Sequence, residues 1–144
     1  MIKPMTLGAL ALVALLPLVA CASGGSEPED LSDFADRFTD AALKAMESPA
    51  EVENMASFYA EDVENVDVRS GESAQGRDEA LEGFRYFASS DTDATIDYVV
   101  TGDGWFSHRV VAKVGTTGIE ERWVIISEVE DDEITRQVAV PVLD

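Results

Sequence analysis

After Asp93 the apolar residues of this chain change their spacing, and the change holds to the end. Before it they recur every three or four positions, the period of an amphipathic helix. After it they alternate, the period of a strand with one buried face. Helices followed by an unbroken run of strands joined through tight turns predict an α+β plan with an antiparallel sheet.

The strands read one by one. Ile96, Tyr98 and Val100 alternate with Thr95, Asp97 and Thr101, and Gly102-Asp103-Gly104 marks a turn. Trp105 to Val114 follows, with Phe106, His108, Val110, Ala112 and Val114 on one face and Ser107, Arg109 and Lys113 on the other. Gly115 to Gly118 turns the chain into Ile119 to Val129, and the acidic turn Glu130-Asp131-Asp132-Glu133 leads into Ile134 to Val142. Trp123 and Ile125 point opposite to Val124 and Ile126, so apolar residues occupy both faces. That implies a covered outer face, as a homodimer through the sheet would provide.

Three helices are expected ahead of the sheet. Leu31, Phe34, Ala35, Phe38, Ala42, Leu43 and Met46 form one stripe over about Leu31 to Glu47, with Asp30 as N-cap. Ser48-Pro49-Ala50-Glu51 has the residues of a capping box with proline in the first helical position, and Val52, Met55, Ala56 and Tyr59 predict the buried face of a shorter helix. A strand from Val63 to Val68 and a polar loop from Ser70 to Gly76 separate it from the third helix, whose stripe is Ala80, Leu81, Phe84 and Phe87.

The first residues are of another kind. Lys3, the apolar run Leu7 to Leu16 and the small residues before Cys21 describe an export signal over residues 1–20. Leu18-Val19-Ala20-Cys21 resembles a bacterial lipobox, which would make Cys21 the lipidated first residue of the mature chain. Cys21 is the sole cysteine, so a disulfide within the chain is excluded. Residues 21–30, small and polar, read as the lipidated cysteine and a flexible tether, and residues 31–144 as the domain. The expected location is the bacterial cell envelope. Ala22 and Ser23 after the cysteine favour the outer membrane, facing the periplasm, if the source has two membranes.

Charge narrows the partners. Of the 144 residues, 29 are acidic and 10 are Lys or Arg, giving a formal net charge of −19. Nucleic acid and anionic headgroups are poor partners for such a domain. One histidine and one cysteine do not make a zinc site, and the acidic turn lacks the glycine and spacing of a calcium loop. No phosphate-binding glycine loop or Gly-x-Ser-x-Gly motif is present, so no cofactor or metal is expected.

The order helix, helix, strand, helix and four strands resembles the nuclear transport factor 2-like superfamily over about residues 31 to 142. The supporting residues are Tyr59-Ala60-Glu61-Asp62 before the first strand, Gly76-Arg77-Asp78-Glu79-Ala80-Leu81 opening the third helix, and Glu128 to Ile134 at the last hairpin. There Asp132 and Glu133 stand where many members carry Gly-Lys. The resemblance implies three helices packed on a curved sheet around a conical pocket, as in SnoaL-like cyclases and ketosteroid isomerases. In the isomerases a general-base aspartate lies on the first strand, and Asp67 matches that offset. Their two oxyanion donors, a tyrosine on the first helix and an aspartate on a late strand, have no counterpart: the late strand offers Ile125, Ile126 and Ser127. Steroid isomerisation by that route is therefore not expected.

Each candidate site residue has two readings. Asp67 is a pocket base or a solvated strand-end carboxylate; His108 is its proton-transfer partner or a core histidine satisfied by Tyr98 or a backbone carbonyl. Tyr59, Tyr98, Phe106 and Trp123 are ligand-binding candidates, with Trp105 a fifth aromatic of the same kind, or they are simply core. Arg109 and Arg122 bind a ligand carboxylate or pair with surface acids. The functional expectation is an envelope lipoprotein whose domain binds a small apolar molecule or serves as an interaction module. The alternative is a SnoaL-like isomerase, cyclase or dehydratase using Asp67 and His108, and a third possibility is a dimeric scaffold with a filled cone.

Overall fold

The structure is a computed structural model that describes residues 30–143. The export signal and Cys21 lie outside the described residues. Helix α1 (Ser32–Glu47) buries Phe34, Ala35, Phe38, Ala42, Ala45 and Met46 along one stripe. The cap position is Leu31 and not the expected Asp30, although Asp30 Oδ1 accepts the Ser32 N–H at 3.0 Å and satisfies one donor that the first turn leaves unpaired. The helix stops at Ser48, which is extended at φ −140° and ψ 121° because a residue before proline is driven out of the helical region.

The next segment departs from expectation. Pro49–Phe58 winds as a 3-10 helix, and the capping box does not form: Ser48 gives no side-chain cap, and Glu51 accepts instead from Asn54 Nδ2 at 2.7 Å. The apolar spacing accounts for the tighter winding. Val52, Met55 and Phe58 recur at every third residue, which aligns them on a 3-10 helix, and all three pack into the core. The helix thus ends before Tyr59, which opens strand β1 (Tyr59–Asp67) rather than closing a helical face.

The polar segment after β1 contains a short strand, β2 (Glu72–Gln75), where the sequence predicts only a loop. Glu72 on one face and Ser73 and Gln75 on the other are polar, so alternation gives no sign of it; it is held by antiparallel pairing to β1. Helix α2 (Arg77–Ser89) and the strands β3 (Thr92–Gly102), β4 (Trp105–Val114), β5 (Ile119–Glu130) and β6 (Glu133–Pro141) complete the chain. Asp131 and Asp132 join the last two strands with φ of 51° and 62°, the paired positive values of a two-residue hairpin turn.

The sheet runs β2-β1-β6-β5-β4-β3. Every neighbouring pair is antiparallel except β1 and β6, which are parallel, so the sheet is mixed and not purely antiparallel. The two strands are joined through α2 and four other strands, and no hairpin fixes their relative direction.

The helices cover the concave face. Phe38 lies at the centre, edge-to-face with Phe58, Tyr59 and Phe106 at ring separations of 5.5, 6.0 and 5.2 Å. Burying one such side chain contributes about 1.5–3 kcal/mol, which makes this cluster the anchor between α1, the 3-10 helix and the sheet. On the convex face the strand register aligns Val66, Val138 and Ile126 in one row and Val140 beside Val124 in the next. Among the described residues no helix is long and apolar enough to cross a membrane.

Candidate functional site

Alternation on the concave face sets out the site in cross-strand rows. Asp67, Ala139, Ile125 and His108 occupy one row across β1, β6, β5 and β4. Asn65, Gln137, Ser127 and Phe106 occupy the row toward the aromatic cluster, and Trp123, Val110 and Ile96 the row on the other side. The upper rows face α2 across a cavity of about 450 Å³. Its apolar walls include Phe38 and Met46 of α1, Phe84 and Phe87 of α2, and Ile96 and Val110 of the sheet. Gly83, on the exposed side of α2, leaves an opening between helix and sheet: a Cβ there would meet nothing within 4 Å.

Asp67 and His108 both line this cavity. They are three strand spacings apart, on the order of 14 Å measured along the sheet, so they do not form a directly bonded pair. Asp67 is also engaged locally: its Oδ1 accepts the Arg69 N–H at 2.7 Å and closes the turn after β1. His108 is 3 % exposed. Its ring stacks on Phe106 at 5.7 Å and lies 5.6 Å from Phe38. Nδ1 is buried with no hydrogen-bond partner. Burial in this apolar setting pushes the imidazole down to about 4, so the ring is neutral near pH 7.

The four aromatic candidates separate. Trp123 lines the cavity. Tyr59 and Phe106 are fully buried in the core and are absent from the cavity lining, because the 3-10 helix and α1 close over them. Tyr98 is displaced outward. A bulge between Asp97 and Val100 gives it φ 51° and leaves it 71 % exposed, with the Arg109 guanidinium 4.3 Å from its ring centre. It therefore cannot satisfy His108. Arg109 forms a two-bond pair with Asp97 at 2.8 and 2.6 Å, and Arg122 pairs with Glu120, the surface alternatives of the sequence reading.

Two polar side chains of the cavity lining, Gln137 and Arg69, are absent from that reading. Gln137 accepts from the Tyr59 hydroxyl at 3.4 Å and donates through Nε2 to Ser127 Oγ at 3.1 Å, giving the cavity a neutral polar floor. Burial pushes the Tyr59 phenol up, which keeps it protonated as the donor. The available signal was a polar residue at an inward position of an apolar strand, since buried polar groups are the informative ones. Arg69 falls between the expected strand and the polar loop; its guanidinium lies 4.6 Å over the Trp123 ring and it lines the cavity. Beside it Trp123 Nε1 donates to Glu121 Oε2 at 3.3 Å. Among the described residues no cluster of three His, Cys, Asp or Glu could hold a metal ion.

Solved structures with this arrangement decide the architecture. A protein of unknown function from Mesorhizobium loti, described as nuclear transport factor 2-like, superposes with a TM-score of 0.66 over 81% of this chain and 98% of its own, at 14% identity. The fold is nuclear transport factor 2-like. A candidate ketosteroid isomerase from Kribbella flavida matches with a TM-score of 0.61 at 18% identity, over 79% of this chain and 82% of that one. A de novo designed protein with a curved β-sheet also reaches 0.61, at 14% identity over 75% and 84%. At these identities the nuclear transport factor 2-like likeness carries the fold alone. No protein-family model and no curated protein matches the chain.

Proposed function

We propose that the chain is an envelope lipoprotein, anchored through Cys21, whose domain binds a small, mostly apolar molecule in the cone. The observation that carries this reading is the cavity of about 450 Å³ between α2 and the sheet, apolar in its walls with a few polar groups at floor and mouth. That size and lining suit a buried organic ligand. The separation of Asp67 from His108, and the engagement of Asp67 in its own turn, favour binding over proton transfer. Apolar rows on the convex face, with Ile126 38 % exposed, support a homodimer through the sheet.

A second reading, proton transfer on a bound substrate by Asp67 and His108, draws on one observation: both residues line the same cavity. A substrate lying between them would bridge the gap. Native mass spectrometry of protein purified gently from its own host tests the first reading. A reproducible small-molecule adduct is expected, and its retention by Asp67→Asn with no loss of any turnover would favour the binder. Loss of turnover in Asp67→Asn would favour the enzyme. Bare protein after gentle purification would count against both and in favour of a filled scaffold.

A further inference from the structure

We propose that the molecule held in the cavity is an amphipathic carboxylic acid, its apolar body between α2 and the sheet and its carboxylate on Arg69 at the mouth. This inference rests on the binding reading above and adds the ligand's chemical class.

It begins from how the chain spends its few cations. Acids outnumber Lys and Arg by 29 to 10, and most arginines are claimed by carboxylates. Arg85 pairs with Glu53 and Glu82, Arg136 with Glu64 and Glu128, Arg109 with Asp97, Arg122 with Glu120 and Arg77 with Glu133. Arg69 makes no ion pair among the described residues. Its one side-chain partner there is the Trp123 ring, 4.6 Å beneath the guanidinium. An arginine resting on an aromatic face keeps the donors at its edge available, and that planar fork matches a carboxylate with two parallel bonds.

The two carboxylates of the same cavity are each turned toward a donor of the protein through one oxygen. Asp67 Oδ1 holds the Arg69 backbone N–H, and Glu121 Oε2 holds the Trp123 indole N–H. Each of these bonds uses one of the carboxylate's two oxygens. Arg69 adds donor capacity in a positively charged group, with no ion pair among the described residues, beside an apolar space. An acid with an apolar tail satisfies both. A cationic head would instead turn to the second oxygens of Asp67 and Glu121, and the amine probe below reads that alternative. Gln137, the neutral polar residue of the lining, is itself held by Ser127 and adds no charge at depth, so the charged end of the ligand belongs at the mouth.

The test uses the full chain carrying Cys21→Ser and three ten-carbon probes that differ only in the head: decanoate, decanol and decylamine. Affinities come from calorimetry near neutral pH at fixed salt. Decanoate is expected to bind at least about tenfold more tightly than decanol, one charge-assisted contact's worth. Arg69→Met should abolish the preference for decanoate over decanol, and Arg69→Lys should recover part of it. Decanol or decylamine binding as well as decanoate, or an undiminished preference in Arg69→Met, would overturn the acid assignment and leave the binding reading standing. If none of the three binds, the binding reading falls and this inference with it.

Discussion

His108 offers the sharpest quantitative test, because it is the only histidine in the chain. Its imidazole lies against Phe38 and Phe106 with Nδ1 unpartnered, and burial takes it from 6.5 down to about 4. The unfolded chain therefore takes up the proton first as pH falls. The stability linked to this group is whole above about pH 6.5, is lost progressively down to about pH 4, and then levels. The gap corresponds to roughly 3 kcal/mol at full development, of which about 2.5 kcal/mol falls between about pH 7.5 and about pH 4.5. Many carboxylates titrate nearby in pH, but they contribute alike to wild type and to His108→Leu. Urea unfolding followed by tryptophan fluorescence at the two pH values should show wild type losing about 2.5 kcal/mol more than the variant. The lone Cε1–H resonance in the NMR spectrum should show no titration step near pH 6.5. A step there, or parallel stability curves for the two proteins, would refute the desolvated imidazole. The functional consequence follows directly: a neutral ring at pH 7 can share a hydrogen bond with a ligand, but it holds no proton to give as an acid.

Three further outcomes follow from local geometry. Gly83→Ala fills open space on α2 and removes a glycine from a helix interior, so stability should rise by roughly 0.8–1 kcal/mol and the melting temperature by roughly 4 °C; a lower melting temperature would contradict the open mouth. Gly115→Ala should do the opposite, because a Cβ there runs into the Asp91 carbonyl oxygen that accepts the Gly115 N–H at 3.1 Å. A loss of roughly 1–3 kcal/mol is expected by urea titration, and a neutral result would remove the close approach. Asp67→Ala should cost about 1 kcal/mol through the lost acceptor for the Arg69 N–H, whereas Asp67→Asn, which keeps an acceptor, should melt close to wild type.

Much of the fold was legible because period and composition are local. The stripe of Phe34, Phe38, Ala42 and Met46, the alternation of Phe106 to Val114 and the turn residues between strands each reported their element within a few positions. The failures have local reasons too. Ser48-Pro49-Ala50-Glu51 has the composition of a capping box, yet the three-residue spacing of Val52, Met55 and Phe58 drew the segment into a 3-10 helix. Strand β2 carries polar residues on both faces and owes its existence to β1. Tyr98 obeyed the alternation on paper, but a bulge at Asp97 turned it outward.

By itself, then, the sequence determined that helices precede a run of strands, that His108 shares a face with Phe106 and Val110, and that the chain is strongly acidic. These follow from spacing and from counting, which need no partner. Tertiary structure alone decided that β1 runs parallel to β6, that Asp67 and His108 share a row yet stand three strands apart, and that Arg69 rests on Trp123 beside the cavity. Each of those facts joins residues distant in the chain, and strand order and curvature place them; no periodicity along a single segment encodes which strand lies beside which.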